Sequence, residues 1–280
     1  MTYTIRTATS ADADSCGSSI YEAFRGIEER YGYPHFYASP IYAIQIANLL
    51  IKNPAVLGLV AEVEGRVAGC CFLHNYGSAA GIGPVAVDPQ HQDCGIGRAL
   101  VSSALERSNC SRGIRLKQDA ANVASLALYA SLGFEVREPL VLAHGLISSS
   151  EAPKHIETRE IGPKDVDEAA SLCERVYGFA ERETLDSGFV ALRDGRVTGY
   201  SPGVSIHGYG VADSEEDIQA LLTGTGRASR RPVSFLLPLR LGGLVRWCLG
   251  EGLQLVRPMM LMTTGSYHEP EGCFFPSLIR

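Results

Sequence analysis

Residues 92–99, Gln92-Asp93-Cys94-Gly95-Ile96-Gly97-Arg98-Ala99, place two glycines where phosphate chemistry can be done. Upstream, Gly83-Pro84-Val85-Ala86-Val87 reads as a buried strand that Asp88-Pro89 ends. Downstream, Ile96, Leu100, Val101, Ala104 and Leu105 recur at helical spacing. A helix N-terminus carries N–H groups without intrahelical partners and the positive end of the helix dipole, so it binds anions. Glycine lets the backbone approach a phosphate without a Cβ in the way, and Arg98 adds a formal charge. The pattern lacks the G-K-[ST] of a Walker loop and the third glycine of a dinucleotide fingerprint. A bare G-x-G also occurs in ordinary turns, so the strand and helix around it carry the signal. Cys94 lies at the start of that helix and is expected to contribute its backbone N–H and not its sulfur.

A second constellation follows. Asn122, Ser125 and Tyr129 are three and four residues apart, so they share one helix face. Asn122 is a good N-cap and Gly133 a good left-handed C-terminal residue. Val123, Leu126, Ala127 and Ala130 are expected to cover the core side.

The elements that position these residues recur. Gly58–Gly69 matches Gly188–Gly199, each reading as strand, tight turn, strand, with Glu64-Gly65 and Asp194-Gly195 at the turns. Arg6, Asp12 and Asp14 have counterparts in Arg159, Asp165 and Asp167, the aspartates being expected at helix starts. Ser148-Ser149-Ser150-Glu151-Ala152-Pro153-Lys154 reads as a linker, so domains are expected at 1–146 and 155–280. Each half runs strand, helices, hairpin, strand, helix, strand, helix, strand. That order predicts an α/β (α+β) class with a mixed, mostly antiparallel central sheet flanked by helices.

The 280 residues suffice for two cores, with 45% apolar and 20% charged residues. A net charge of −6 argues against a nucleic-acid partner. The eight cysteines form no C-x-x-C pair, so neither a zinc site nor a disulfide scaffold is expected. The N-terminus has no signal-peptide core, and no apolar run is long enough to span a bilayer. The expectation is a cytoplasmic protein with no membrane and no metal.

Gln92-Asp93-Cys94-Gly95-Ile96-Gly97 and Asn122-Val123-Ala124-Ser125-Leu126-Ala127-Leu128-Tyr129-Ala130-Ser131-Leu132-Gly133-Phe134 together resemble the pyrophosphate loop and the following helix of the GNAT acetyltransferases. The resemblance covers about residues 1–145. It implies acetyl-CoA as co-substrate and direct attack of a primary amine, on a small molecule or peptide, in a ternary complex. Backbone groups of Val85, Ala86 and Val87 would then pair with the pantetheine arm and polarise the carbonyl. Gln92 to Ala99 would hold the pyrophosphate, Asn122 and Ser125 would line the site, and Tyr129 would protonate the leaving thiolate. Many relatives carry a glutamate on the central strand, whereas this chain has Gly81-Ile82-Gly83-Pro84-Val85. The base candidates are then His74, Glu28 or Glu29, and the carboxylate of Arg280, since some tandem relatives fold the chain end into the site. Water also suffices for an amine that arrives deprotonated. The family shapes its acceptor pocket with the region equivalent to Tyr31-Gly32-Tyr33-Pro34-His35-Phe36-Tyr37. Those rings can pack an acceptor or clamp the loop to the core.

The second half lacks the glycine loop. After Ala212-Asp213 come Ser214-Glu215-Glu216-Asp217, three carboxylates where phosphates would dock. Its Arg246–Leu253 segment and its last residues resemble the C-terminal half of bacterial tandem GNAT proteins. This degenerate copy is expected to bind no CoA and to support the first, complete its acceptor cleft or mediate homodimerisation. A regulatory acyl-CoA sensor and a non-catalytic scaffold are the competing readings.

Overall fold

The computed structural model describes residues 2–76, 79–110, 112–147, 153–180 and 185–279. Residues 148–152 of the proposed linker lie outside that set. The chain forms two compact units, residues 1–136 with 262–266 and 279–280, and residues 137–261 with 267–278.

In the first unit the order is β1 (Thr4–Thr7), α1 (Ala13–Tyr31), α2 (Pro40–Lys52), β2 (Val56–Val63), β3 (Arg66–Tyr76), β4 (Ala79–Val87), α3 (Ile96–Glu106), β5 (Ile114–Asp119) and α4 (Val123–Ser131). The strands lie in the order β1-β2-β3-β4-β5. The first three pairings are antiparallel, and β4 and β5 are parallel. Strand alternation sorts the faces. Cys70 and Phe72 pack with Cys16 and Ile20 of α1 and Ala43 and Ala47 of α2. Gly69 turns the other way, where an added Cβ would meet Ile96 and Leu100 of α3. Thus α1 and α2 cover one face and α3 the other. Gly32 ends α1 in the left-handed conformation, and its N–H bonds the Glu28 carbonyl. Ser39 opens α2 by accepting the Tyr42 N–H, with Pro40 in the first turn.

The second unit takes most of β6 (Glu135–Gly145), then β7 (Glu157–Glu160), α5 (Val166–Tyr177), β8 (Phe189–Arg193), β9 (Arg196–Ser201), β10 (Gly210–Ala212), α6 (Glu215–Ser229), β11 (Val233–Pro238), α7 (Gly242–Gly250), most of β12 (Gln254–Thr264) and β13 (Cys273–Phe275). One sheet runs β13-β10-β9-β8-β7, and a second set of neighbours runs β12-β6-β11. β6 and β11 pair antiparallel from Val233↔Gly145 to Pro238↔Leu140. One core gathers around Phe235, Leu237, Leu244 and Phe275, and another around Leu172, Val176, Tyr200 and Phe274.

The internal repeat holds at atomic detail. Both hairpin turns have two residues of positive φ, Glu64 (49°) and Gly65 (77°), then Asp194 (50°) and Gly195 (79°). That is the turn whose twist matches the strands it joins. Both hairpins carry a register shift at the same place, Ala61/Glu62 and Ala191/Leu192. Among the described residues, α5 is the helix between β7 and β8, where the first half has α1 and α2 between β1 and β2.

Asp12 and Asp165 are paired alike. Each accepts from both terminal guanidinium nitrogens of an arginine, Arg6 and Arg159, and from the N–H of the residue three before it, Thr9 and Gly162. The aspartates therefore close the preceding 3-10 turn and make no side-chain bond to the helix N–H groups, unlike the expected cap. A bidentate guanidinium outcompetes a single amide for the carboxylate. Arg159 holds the Asp165 pKa down at about 2, against the penalty of burial. A carboxyl whose folded pKa is depressed stabilises fully above its unfolded value of about 3.9 and loses that contribution as pH falls through the folded one. Asp165→Asn should therefore lower the urea midpoint at pH 7 and flatten its decline between about pH 4 and pH 2.

Candidate active site

Strands β4 and β5 pair at Ala80↔Ile114 and Gly81↔Arg115 and then part. The Asp88 N–H bonds the Ala68 carbonyl on β3. Antiparallel ladders alternate, so the main-chain groups of Val85 and Val87 point away from β3 into the gap. The Gln92 side-chain amide donates to the Val87 carbonyl at 3.2 Å, at the mouth of that gap.

The glycine loop sits beside it. Gln92, Asp93, Cys94 and Gly95 are exposed. Gly95 caps α3 with φ 81°, and the first helical bond runs from the Ala99 N–H to the Gly95 carbonyl. The N–H groups of Ile96, Gly97 and Arg98 precede that bond and have no carbonyl within the helix. Arg98 donates to Ser131 Oγ at 2.8 Å, holding a cation at the loop while linking α3 to α4. This arrangement can bind a phosphate-bearing ligand at the loop and an extended amide chain along β4.

On α4, Asn122 accepts the Ser125 N–H as the expected N-cap, and Gly133 has φ 85°. The expected core side is corrected. Val123 is 69% exposed, and Ala127 and Ala130 are exposed as well. Tyr129 is the buried residue of the helix, 8% exposed, with Ser125 half-buried beside it. The polar stripe is therefore the face turned to the sheet. Tyr129 packs edge-on against Phe134, with ring centroids 5.9 Å apart. Burial and then the field of the Cys71 thiol push its pKa well above the ordinary tyrosine value. The phenol stays protonated throughout the neutral range, as a proton donor must.

His74 is buried, its Nε2 2.5 Å from the Gly83 carbonyl. That contact holds the β4 stretch where the β3–β4 register shifts. Glu28 is 2% exposed and accepts the Phe36 N–H at 3.0 Å and the His35 ring at 2.8 Å. It organises the α1–α2 loop from below. Glu29 is exposed and pairs with Arg25 at 3.6 Å. Arg280 lies outside the described residues, but the Ile279 carbonyl comes so close over Gly81 that a Cβ there would clash with it. The loop aromatics divide: Phe36 and Tyr37 pack on Phe24 at 6.0 and 5.3 Å, clamping the loop, whereas Tyr31 and Tyr33 stack on each other at 5.7 Å.

The second copy has a carboxylate in place of the loop. The Asp213 N–H bonds Thr198 as Asp88 bonds Ala68, yet α6 begins two residues later, at Glu215, against eight for α3. Asp217, 0% exposed, accepts from Arg193 Nε at 2.9 Å and from Thr198 at 2.7 Å, and shares a 2.5 Å bond with Ser214, whose Oγ caps α6. Arg193 also takes Glu216 at 2.9 Å. Asp217 and Glu216 of the acidic run are therefore locally neutralised by Arg193. Removing one partner of a buried ion pair is costly. Asp217→Ala should lose about 3 kcal/mol in denaturant unfolding.

Comparison with known proteins points one way. Residues 18–134 match the acetyltransferase (GNAT) family model. An uncharacterized N-acetyltransferase of Methanocaldococcus jannaschii is 31% identical over 147 residues, 49% of this chain. The chain spans 62% of that relative's length. A protein of Pyrococcus horikoshii assigned as an acetyltransferase superposes with a TM-score of 0.70 at 17% identity, covering 97% of this chain and 91% of that one. A tandem GNAT protein from the clavulanic acid biosynthesis pathway gives 0.58 at 14%, covering 95% and 100%. At these identities the two structures show a shared fold. No helix among the described residues is long and apolar enough to cross a membrane.

Proposed function

We propose, from the match of residues 18–134 to the acetyltransferase (GNAT) family model, that the chain is an acetyl-CoA-dependent N-acetyltransferase that acylates a primary amine by direct attack in a ternary complex. The observation that carries the reading is the parting of β4 from β5 after Gly81, alongside the exposed N-terminus of α3. The gap offers main-chain groups to an extended amide arm, and the helix end offers N–H groups to a pyrophosphate.

The thioester supplies the activated acyl group; the chain supplies position and proton transfer. Main-chain N–H groups at Val85 and Val87 bind and polarise. Gln92 to Ala99 anchor the phosphates, with Arg98 as their cation. Ser125 and Asn122 shape the wall in front of Tyr129, and the Tyr129 phenol gives its proton to the departing sulfur. His74 and Glu28 position the β4 bend and the acceptor loop. The second copy binds no CoA, because its short β10–α6 turn leaves no loop and Asp217 already serves that helix end.

Calorimetric titration of acetyl-CoA, followed by thiol release with a panel of primary amines, tests this. Micromolar binding at one site per chain with turnover of any amine supports it. Binding without turnover favours a sensor, and no binding to a folded chain sinks the assignment.

A further inference from the structure

The register of three strands aligns one row of side chains. His74 on β3 pairs with Gly81 on β4, and Gly81 pairs with Arg115 on β5. Paired residues share a face, and so does the residue two further on. Lys117 is therefore on the face of His74, Gly81 and Arg115, past the last β4–β5 pair and across the gap from Gly83. That is the face on which α1 packs over β3, since Cys70 and Phe72, in step with His74, pack on α1; Lys117 itself is half-buried. Tyr129 lies on the opposite face, beside Cys71. The gap thus has a phenol on one side and a lysine on the other. The aromatic α1–α2 loop, where an acceptor would enter, belongs to the lysine's side.

Resting on the acetyltransferase reading, we propose that Lys117 is the catalytic proton acceptor for the attacking amine. Before attack, an N–H bond of the acceptor's ammonium breaks and an Nζ–H bond forms, leaving the acceptor a neutral amine and turning Lys117 into an ammonium that returns its proton to solvent. The second N–H proton leaves to solvent from the tetrahedral adduct, while Tyr129 gives its own proton to the sulfur on the far side and recovers one from solvent, so the turnover of a cationic amine releases one proton net. β4 carries no titratable side chain from Ala79 to Val87, so a side-chain base at the gap has to come from another element.

A lysine can accept a proton only when neutral. Burial first, and then the adjacent Arg115 guanidinium, push its pKa well below the ordinary lysine value. Arg115 acts on it from its own strand, and by strand alternation and register Asp119 and His74 share its face. On α1, Glu28 is engaged with His35 and Phe36, and Arg25 with Glu22 and Glu29.

The chain has four lysines, at 52, 117, 154 and 164, so the full-length protein labelled with ¹³C-lysine resolves each titration by NMR, Lys117 being assigned by its loss in Lys117→Met. The expected result is that Lys117 changes charge at least two pH units below the other three. The kinetic arm compares benzylamine, a cation at pH 7, with aniline, which is neutral there. Lys117→Met should lose about 100-fold or more in kcat/KM with benzylamine, and only a few-fold with aniline. The acid limb of the benzylamine profile should vanish. Lys117→Arg, always charged, should not rescue. A Lys117 charged at pH 7, equal losses with both amines, or no turnover of either amine by wild type overturns the proposal. Loss of acetyl-CoA binding by wild type would instead sink the reading it rests on.

Discussion

Gly97→Asp is expected to weaken acetyl-CoA binding by at least about 100-fold while leaving the protein folded. The position separates the two effects. Gly97 is in the first turn of α3 with ordinary helical φ, and an added Cβ would meet Leu128 at 3.5 Å and Val87 at 3.7 Å, normal contact distances. A carboxylate in a first helical turn also suits the dipole, so the helix gains if anything. For a phosphate the same carboxylate is a competitor: it takes up the free N–H groups and places a negative charge about 5 Å from another. At an effective dielectric of about 20 that repulsion is about 3 kcal/mol per pair, or roughly 100-fold in affinity. Gly97→Ala, with the Cβ but no charge, should cost far less. Gly95 is the poorer position for this test, because its φ of 81° strains any side chain. Calorimetry of the three proteins reads the outcome directly. Equal affinities would move the phosphate site elsewhere, and two sites per wild-type chain would overturn the account of the second copy.

How much of this was legible in the sequence depends on how local each signal is. The paired hairpins were legible because Glu-Gly and Asp-Gly suit a turn with two positive φ values. The α3 start and the Asn122 cap were legible for similar reasons. The orientation of α4 was not. Asn122, Ser125 and Tyr129 read as a surface stripe, and Val123, Ala127 and Ala130 as core, because hydropathy assumes a helix that faces a greasy interior. Here the helix turns a tyrosine toward a gap in a sheet. The exchange of strands between units was equally hidden: residues 137–145, from the first sequence half, cluster with the second, and 262–266 with the first. Strand partners are chosen over long range, and neither segment carries a local mark of its neighbour. Lys117 escaped notice because alternation in Ile114-Arg115-Leu116-Lys117 makes it look like the solvated side of an amphipathic strand. Only the register with β4 puts it on the face of His74 and Gly81, beside the gap.

Tyr129→Phe should reduce kcat by about 100-fold or more, with acetyl-CoA affinity changed only a few-fold. The substitution removes one oxygen and no volume that packs: the ring stays against Phe134, and a buried site loses a polar atom that is costly to desolvate. Thermal stability should therefore hold or rise, so a fall in rate isolates the chemistry from the fold. The pH dependence sharpens the test. Burial raises the Tyr129 pKa above its ordinary value of about 10, so the phenol remains protonated across the whole assay range. An enzyme using it as proton donor should show no basic limb below about pH 10 from this group, and the variant should be slower by the same factor at every pH. The loss should also shrink with the leaving group. A thioester whose thiol is more acidic needs less help to depart, so acetyl transfer from an aryl thioester bound in the same gap should fall less in Tyr129→Phe than transfer from acetyl-CoA. A uniform loss for both donors, or a loss matched by a fall in acetyl-CoA affinity, would mean that Tyr129 shapes the gap and gives no proton to the sulfur.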